Sequence, residues 1–493
     1  MTLGLVAGGL LPFGPAAVAE EGPPRPNILW IIAEDMGPEL GAYGYGGIET
    51  PHLDRLAAEG MLFTHAFTTA PVCSTSRSAF MTGMYQTSIG AHNHRSHRDD
   101  GYQLPPGVRV LTDWLRPAGY FTANVVHLTE DPDESFFRGT GKTDWNFTYE
   151  GPRFDSDRWA DLAPREPFYA QVNFSETHRG PAWDESHLHI EHPADPAQVQ
   201  LPPYYPDHPE VRADWAQYLN TVMALDRKVG RVLRKLEEDG LADSTVVVFM
   251  GDHGRAMIRG KQWPYDSGLH VPLIVRWPRG LPAPKGYEPG TVSDRLVASI
   301  DVSATTLALA GVDPPLLMQG RVFLGEEATP PREFVFGGRD RGDETVDRIR
   351  TVRTRTHRYI RNYYPERPLL QLNRYKEWAY PVIGLMRDLA AEGKLDEAQA
   401  RLLAPTRPAE ELYDLDADPW EIRNLAASAA HREILERLRG VLDTWIVETN
   451  DQGRFPEDPS IPASWEARMT DNYDQRIRDR DRRLGRAVPT PLP

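Results

Sequence analysis

The chain of 493 residues carries 55 Lys+Arg against 71 Asp+Glu, a formal charge of −16, with 40% hydrophobic and 26% charged residues. That composition is of a folded globular chain and not of a disordered or coiled-coil one. With no basic stripe, it argues against a nucleic-acid partner, yet leaves room for a small anionic substrate in a locally positive pocket. The length allows about three domains, and one large α/β domain with a smaller one fits it equally well. Cys73 is the lone cysteine, so no intrachain disulfide forms and the redox compartment stays open.

Residues 1–19 contain no charged side chain, an apolar stretch over 3–11 and the small-x-small site Ala17-Val18-Ala19. They read as a signal peptide without a basic n-region, directing the protein to the periplasm or outside the cell. Four glycines and two prolines by position 15 argue against a spanning helix, and no later run is apolar enough to cross a membrane. Residues 20–26 are a linker. The run N-I-L-W-I-I-A over 27–33 is a strand buried on both faces, and it ends in Glu34 and Asp35. Thr50 as N-cap, Pro51 at the first position and Gly60 as stop define a helix. Residues 168–174 form another strand, ending near Glu176 and His178. Apolar residues at helical spacing over 212–238 predict a long helix stopped by Gly240. The strand at 246–250 then leads into Asp252 and His253.

Two apolar strands that each deliver an aspartate at their end imply a mostly parallel sheet with one active edge. The expected fold is α/β: a large, mostly parallel sheet flanked by helices over 26–330, with a smaller C-terminal α+β subdomain over 331–460. In the latter, 352–362 reads as a half-exposed antiparallel strand, and 385–403 and 431–448 as helices. Residues 461–493 form a charged tail that wraps or frays.

Cys73 stands four residues before Arg77, at the start of a helix-like run closed by Gly83. Helix N–H groups and Arg77 would stabilise a thiolate there, which makes the position an activated nucleophile or anion site; a buried structural thiol is the alternative. The cluster His92-Asn93-His94-Arg95-Ser96-His97-Arg98 is a substrate-binding loop or a structural turn. Its spacing does not support a zinc site.

The segment C-S-T-S-R-S-A-F-M-T-G resembles the sulfatase signature C-x-(P/A)-x-R…T-G, whose cysteine is converted to formylglycine. The resemblance extends in order through N-I-L-W-I-I-A-E-D-M-G, T-P-H-L-D-R-L-A-A-E-G, F-M-G-D-H-G, G-K-Q-W-P-Y-D-S-G-L-H-V-P and E-E-L-Y-D-L-D-A-D-P-W-E-I-R-N-L, covering roughly residues 26–450. Some surroundings are similar to heparan N-sulfatase-like members. The resemblance implies an alkaline phosphatase-like fold and hydrolysis of a sulfate ester or sulfamate on a sulfated glycan. It implies formylglycine at Cys73, made by a maturation enzyme, and one divalent cation, Ca²⁺ with Mg²⁺ or Mn²⁺ as alternatives. Its ligands would be Glu34, Asp35, Cys73, Asp252 and His253, with Arg77, Lys142, His178 and Lys261 on the sulfate and leaving group. His92, His94, Arg95, His127 and Asp144 would contact substrate. The chain departs from the family pattern at Thr75 (Pro or Ala), Glu34 (Asp) and His253 (often Asn). Asp144 stands where the family's K-x-H histidine would be, with His127 as the other candidate. A phosphodiester or phosphonate monoester hydrolase of the same superfamily, and an inactive sulfate-ester-binding relative, are the competing readings.

Overall fold

The computed structural model describes residues 25–98, 100–483 and 485; the segment 1–19, read from the sequence as a signal peptide, lies outside them. The first sheet is built from β1 (Asn27–Ala33), β2 (Met61–Phe67), β3 (Phe121–His127), β4 (Ser156–Arg158), β5 (Phe168–Phe174), β6 (Thr245–Gly251), β7 (Leu273–Arg276) and β8 (Thr291–Ala298). Their order is β4-β3-β5-β1-β6-β7-β2-β8. Every neighbouring pair is parallel except those made by β7, which runs antiparallel to β6 and β2.

The continuous apolar run of β1 has a direct cause. Leu29, Ile31 and Ala33 face one core with Val222, Leu225 and Val229 of the Pro209–Glu238 helix. Ile28, Trp30 and Ile32 face a second core with Phe80 and Met81 of the Cys73–Thr82 helix and with Val302 and Leu307 of the Ser299–Leu309 helix. A strand with helices on both sides has no polar face to show. Each Leu, Ile, Val, Phe or Met among them contributes about 1.5–3 kcal/mol by burial.

Thr50 occupies the N-cap position of the Pro51–Glu59 helix, but its hydroxyl makes no cap bond. Asp226 of the long helix accepts instead from the N–H groups of His52 and Leu53, at 3.2 and 2.7 Å. A carboxylate from another element thus satisfies the orphaned donors. The long helix begins earlier than predicted, at Pro209, where the His208 ring accepts from the Glu210 N–H.

The C-terminal part forms a second, antiparallel sheet of β9 (Val335–Arg339), β10 (Ile349–Arg353), β11 (His357–Asn362) and β12 (Glu410–Asp414), in the order β12-β11-β10-β9. The single strand expected over 352–362 is the turn and second arm of the β10–β11 hairpin, closed by Thr354 N–H to His357 O. It is also more buried than expected, because its arginines are paired inside the protein. All five N–H donors of fully buried Arg350 find acceptors: Asp451 twice, Asp340, and the carbonyls of Arg339 and Ile349. Arg350→Ala should cost about 3–5 kcal/mol, because two buried carboxylates lose their partner. A urea midpoint within error of the parent would refute that assignment.

The predicted helix over 385–403 is broken into Pro381–Ala391 and Glu397–Ala400, since Gly393 turns to φ +68° and closes the first on Ala390 O. The tail does not fray through residue 483. Ser460–Arg483 is a helix that buries Met469 and Ile477 and docks on the Arg374–Ala379 helix, with Arg374 Nε 2.8 Å from Asp474. No described helix is long and apolar enough to cross a membrane.

Candidate active site

The site sits where β1, β5 and β6 end, beside the start of the Cys73–Thr82 helix. Backbone bonds carry the sheet register one step further: Asp252 N–H donates to Ala33 O, Glu34 N–H to Phe174 O and Met36 N–H to His253 O. Asp35 adopts φ +52° and its N–H donates to Asp252 Oδ1 at 2.9 Å. Gly254 is required by close approach, because a Cβ there would lie 2.2 Å from Ser267 O.

Asp35, Cys73, Asp252 and His253 are buried and place one potential ligand atom each within 4.8 Å of one another. His253 Nε2 is 2.8 Å from Asp35 Oδ1 and 3.3 Å from Cys73 Sγ, which in turn lies 3.6 Å from Asp35 Oδ1. His253 Nδ1 is 2.9 Å from Gly254 O. A donor at Nδ1 leaves Nε2 as the ligand atom, the usual arrangement for a metal-binding imidazole. The outer carboxylate oxygens are taken by cations: Asp35 Oδ2 by Lys261 Nζ at 2.7 Å and Asp252 Oδ2 by Arg77 Nε at 2.9 Å. The inner oxygens are left to converge.

Electrostatics follow from that packing. Burial raises the Asp35 carboxyl, but Lys261, His178 and His253 together hold it well below its ordinary range. Burial likewise opposes charge on His253, and Asp252, Asp35 and Cys73 outweigh it, pushing the imidazole up to about 10. His178 is lowered to about 4 by burial and then by Lys261. Among the described residues the four-membered cluster thus draws positive charge to itself, as a cation site does.

Glu34, expected among the ligands, is outside the four. Its Oε2 is 2.7 Å from Lys142 Nζ. The pairing brings Lys142 to the site from a distant loop. Asp144 lies beside it, 3.9 Å from Lys142 Nζ and paired with Arg98. Burial raises Asp144, while Lys142 and Arg98 bring it to about 2. His127 sits at the half-exposed end of β3, with Nε2 3.9 Å from Asp157. Asp144, and not His127, therefore shares the Lys142 neighbourhood.

The imidazole cluster divides. His94 Nδ1 is 3.1 Å from Asp343 Oδ1, and Arg95 N–H donates to Ser74 Oγ at 2.9 Å, beside Cys73. His92 is instead surrounded by Asp340, Arg350 and Asp451, the ion cluster of the second sheet. Sequence reasoning missed Asn173, whose Oδ1 accepts from Arg77 Nη1 at 2.7 Å. Its place at the end of a buried strand was the available signal. It also missed Tyr375, whose ring centre is 5.8 Å from Lys261 Nζ; nothing local marks that residue.

The ends of β1, β5 and β6 thus gather acids, an imidazole and cations around one cysteine. The chain belongs to the sulfatase family: the Sulfatase family model matches residues 26–312, and the model for the C-terminal part of N-sulphoglucosamine sulphohydrolase matches 251–374. It is an enzyme of the sulfuric ester hydrolase class. It is 34% identical to an ulvan-active sulfatase of Formosa agariphila, over 91% of this chain and 79% of that protein. It is 29% identical to human N-sulphoglucosamine sulphohydrolase, over 86% of this chain and 90% of that one. The fold is similar to a protein solved with its substrate D-glucosamine-2-N,6-O-disulfate (TM-score 0.59, 20% identity, 87% and 98% of the two chains). It is also similar to the phosphonate monoester hydrolase of Agrobacterium radiobacter (TM-score 0.59, 18% identity, 86% and 96%).

Proposed function

We propose that the protein hydrolyses a sulfate ester or sulfamate on a sulfated glycan, with formylglycine formed from Cys73 and one divalent cation. The observation that carries this reading is the position of Cys73 Sγ, 3.3 Å from His253 and 3.6 Å from Asp35, inside a cluster of potential metal ligands. The names of the relatives, an ulvan-active sulfatase and N-sulphoglucosamine sulphohydrolase, support a glycan substrate.

Asp35, Asp252 and His253 would hold the ion with the group at position 73. Two hard oxygen donors favour Ca²⁺, and the imidazole nitrogen keeps Mg²⁺ or Mn²⁺ open. Bound there, a cation would neutralise charge on the sulfuryl oxygens. The hydrated aldehyde would supply one hydroxyl as nucleophile, and its second hydroxyl, on losing its proton, would re-form the carbonyl as the bond from carbon to the sulfate oxygen breaks.

The chain's own residues do the rest. Arg77, fixed between Asp252 and Asn173, holds positive charge behind position 73. Buried Lys261 and half-buried Lys142 would present ammonium groups to the developing anion, each oriented by a carboxylate. His178, neutral in the free pocket, is suited to donate a hydrogen bond to the leaving oxygen or nitrogen. Release of inorganic sulfate from aryl sulfate tests the reaction; faster cleavage of aryl phosphate or aryl phosphonate would replace it with the phosphoryl or phosphonyl reading.

The metal assignment has its own test. Asp35→Ala combined with Asp252→Ala should abolish stoichiometric divalent metal by elemental analysis and remove any rise in melting temperature on adding Ca²⁺. Unchanged metal content would show that the ligands are elsewhere.

A further inference from the structure

Each cation closest to the metal cluster has a carboxylate of its own: Arg77 has Asp252 at 2.9 Å, Lys261 has Asp35 at 2.7 Å and Lys142 has Glu34 at 2.7 Å. Arg95 differs. Its backbone is tied to Ser74 Oγ, one residue from Cys73, with φ +56°. Among the described residues its guanidinium has no carboxylate within 4.0 Å, and its Nε is buried with no hydrogen-bond partner. Its electrostatic neighbours are Asp343, Asp144, Cys73 and Tyr473. The two carboxylates are already engaged. Asp343 meets His94 at 3.1 Å and the amides of Asn373 and Gln262 at 3.3 and 3.4 Å. Asp144 meets Arg98 and Lys142.

A second unsatisfied polar group faces the same centre. Tyr375 Oη is buried without a partner, and Cys73 and Asp35 are among its electrostatic neighbours. Its ring meets Tyr473 of the C-terminal helix, with centroids 6.1 Å apart. A buried Nε–H and a buried hydroxyl left without partners are costly in the free protein. Both costs vanish if a ligand supplies acceptors. A guanidinium fork matches the paired oxygens of a carboxylate or sulfate.

We propose that Arg95 and the Tyr375 hydroxyl form a subsite for a second oxyanion of the substrate, a uronate carboxylate or a non-scissile sulfate carried beside the sulfate that is cleaved. The subsite rests on the sulfatase reading for the scissile group, but equilibrium binding tests it apart from turnover. Cys73→Ala protein would be titrated calorimetrically with two matched pairs: glucuronate 2-sulfate against glucose 2-sulfate, and glucosamine 2-N,6-O-disulfate against N-acetylglucosamine 6-sulfate. The doubly charged member of at least one pair should bind about ten- to a hundredfold more tightly, and the pair that shows it identifies the source of the oxyanion. Adding Arg95→Gln should erase that difference, and Arg95→Lys should retain part of it, with melting curves confirming that each variant is folded. No preference in either pair, a preference that survives Arg95→Gln, or equal weakening of both members would overturn the proposal. Absence of sulfate release by the unmutated enzyme, with the binding preference intact, would instead count against the catalytic reading alone.

Discussion

Cys73→Ala is expected to abolish sulfate-ester turnover while leaving the fold intact. Cys73 is the first residue of a buried helix and is 2% exposed. Its side chain contacts Asp35 and His253 of the potential ligand cluster and not the packing of the sheet, so truncation removes chemistry and little else. An unconverted thiol could not replace the aldehyde. Thiolate attack on sulfur would leave a thiosulfate ester with no built-in exit, whereas an aldehyde hydrate can expel sulfate through its second hydroxyl and regenerate the carbonyl. Protein co-produced with the maturation enzyme should therefore carry formylglycine at position 73 despite Thr75. Thr75→Pro should raise the converted fraction. Position 75 lies in the first helical turn, where the N–H has no intrahelical acceptor and proline is tolerated. The change removes only the bond from Thr75 Oγ1 to Val72 O, worth about 1 kcal/mol. The mass of the Cys73 tryptic peptide reads the converted fraction directly. A fully active preparation whose Cys73 still reacts quantitatively with a thiol alkylator would end the formylglycine mechanism for this chain.

The parts of the site that were legible in the sequence are those made by local order. β1 and β6 read as buried strands because helices cover both faces, and the residues that follow a parallel strand fall at the ligand edge. Asp35, Asp252 and His253 were found that way. What stayed hidden depends on pairs far apart in the chain. Glu34 is paired with Lys142, 108 residues away, and no spacing rule anticipates such a pair. The C-terminal helix is similar: its sequence is mostly charged, and only docking on the Arg374–Ala379 helix gives Met469 and Ile477 something to bury against. The β10–β11 hairpin was obscured by arginines, which read as exposed until their buried carboxylates are known.

Lys261→Ala and His178→Ala should each lower turnover of a sulfate ester with a poor leaving group by about two to four orders of magnitude, or about 3–5 kcal/mol of barrier. Lys261 is held from both ends. Its Nζ meets Asp35 Oδ2 at 2.7 Å, and its carbonyl accepts from Lys376 Nζ at 2.7 Å. The ammonium is thus positioned before substrate arrives and needs no reorganisation as charge develops. Burial opposes that charge, but Asp35 and Cys73 hold its pKa well above the ordinary lysine range. His178 carries a different requirement. Burial and Lys261 lower it to about 4, which favours the neutral imidazole in the free pocket. A bound sulfate ester raises its basicity, which strengthens its N–H···O bond as the leaving atom gains charge. Activated aryl sulfates need less help at that atom, so His178→Ala should cost them less than alkyl sulfates. Lys261→Ala removes the partner of a buried carboxylate, and metal content and melting temperature must be measured beside the rate to separate lost chemistry from a lost ion. Near-parental rates on an alkyl sulfate in either variant would remove that residue from the catalytic machinery.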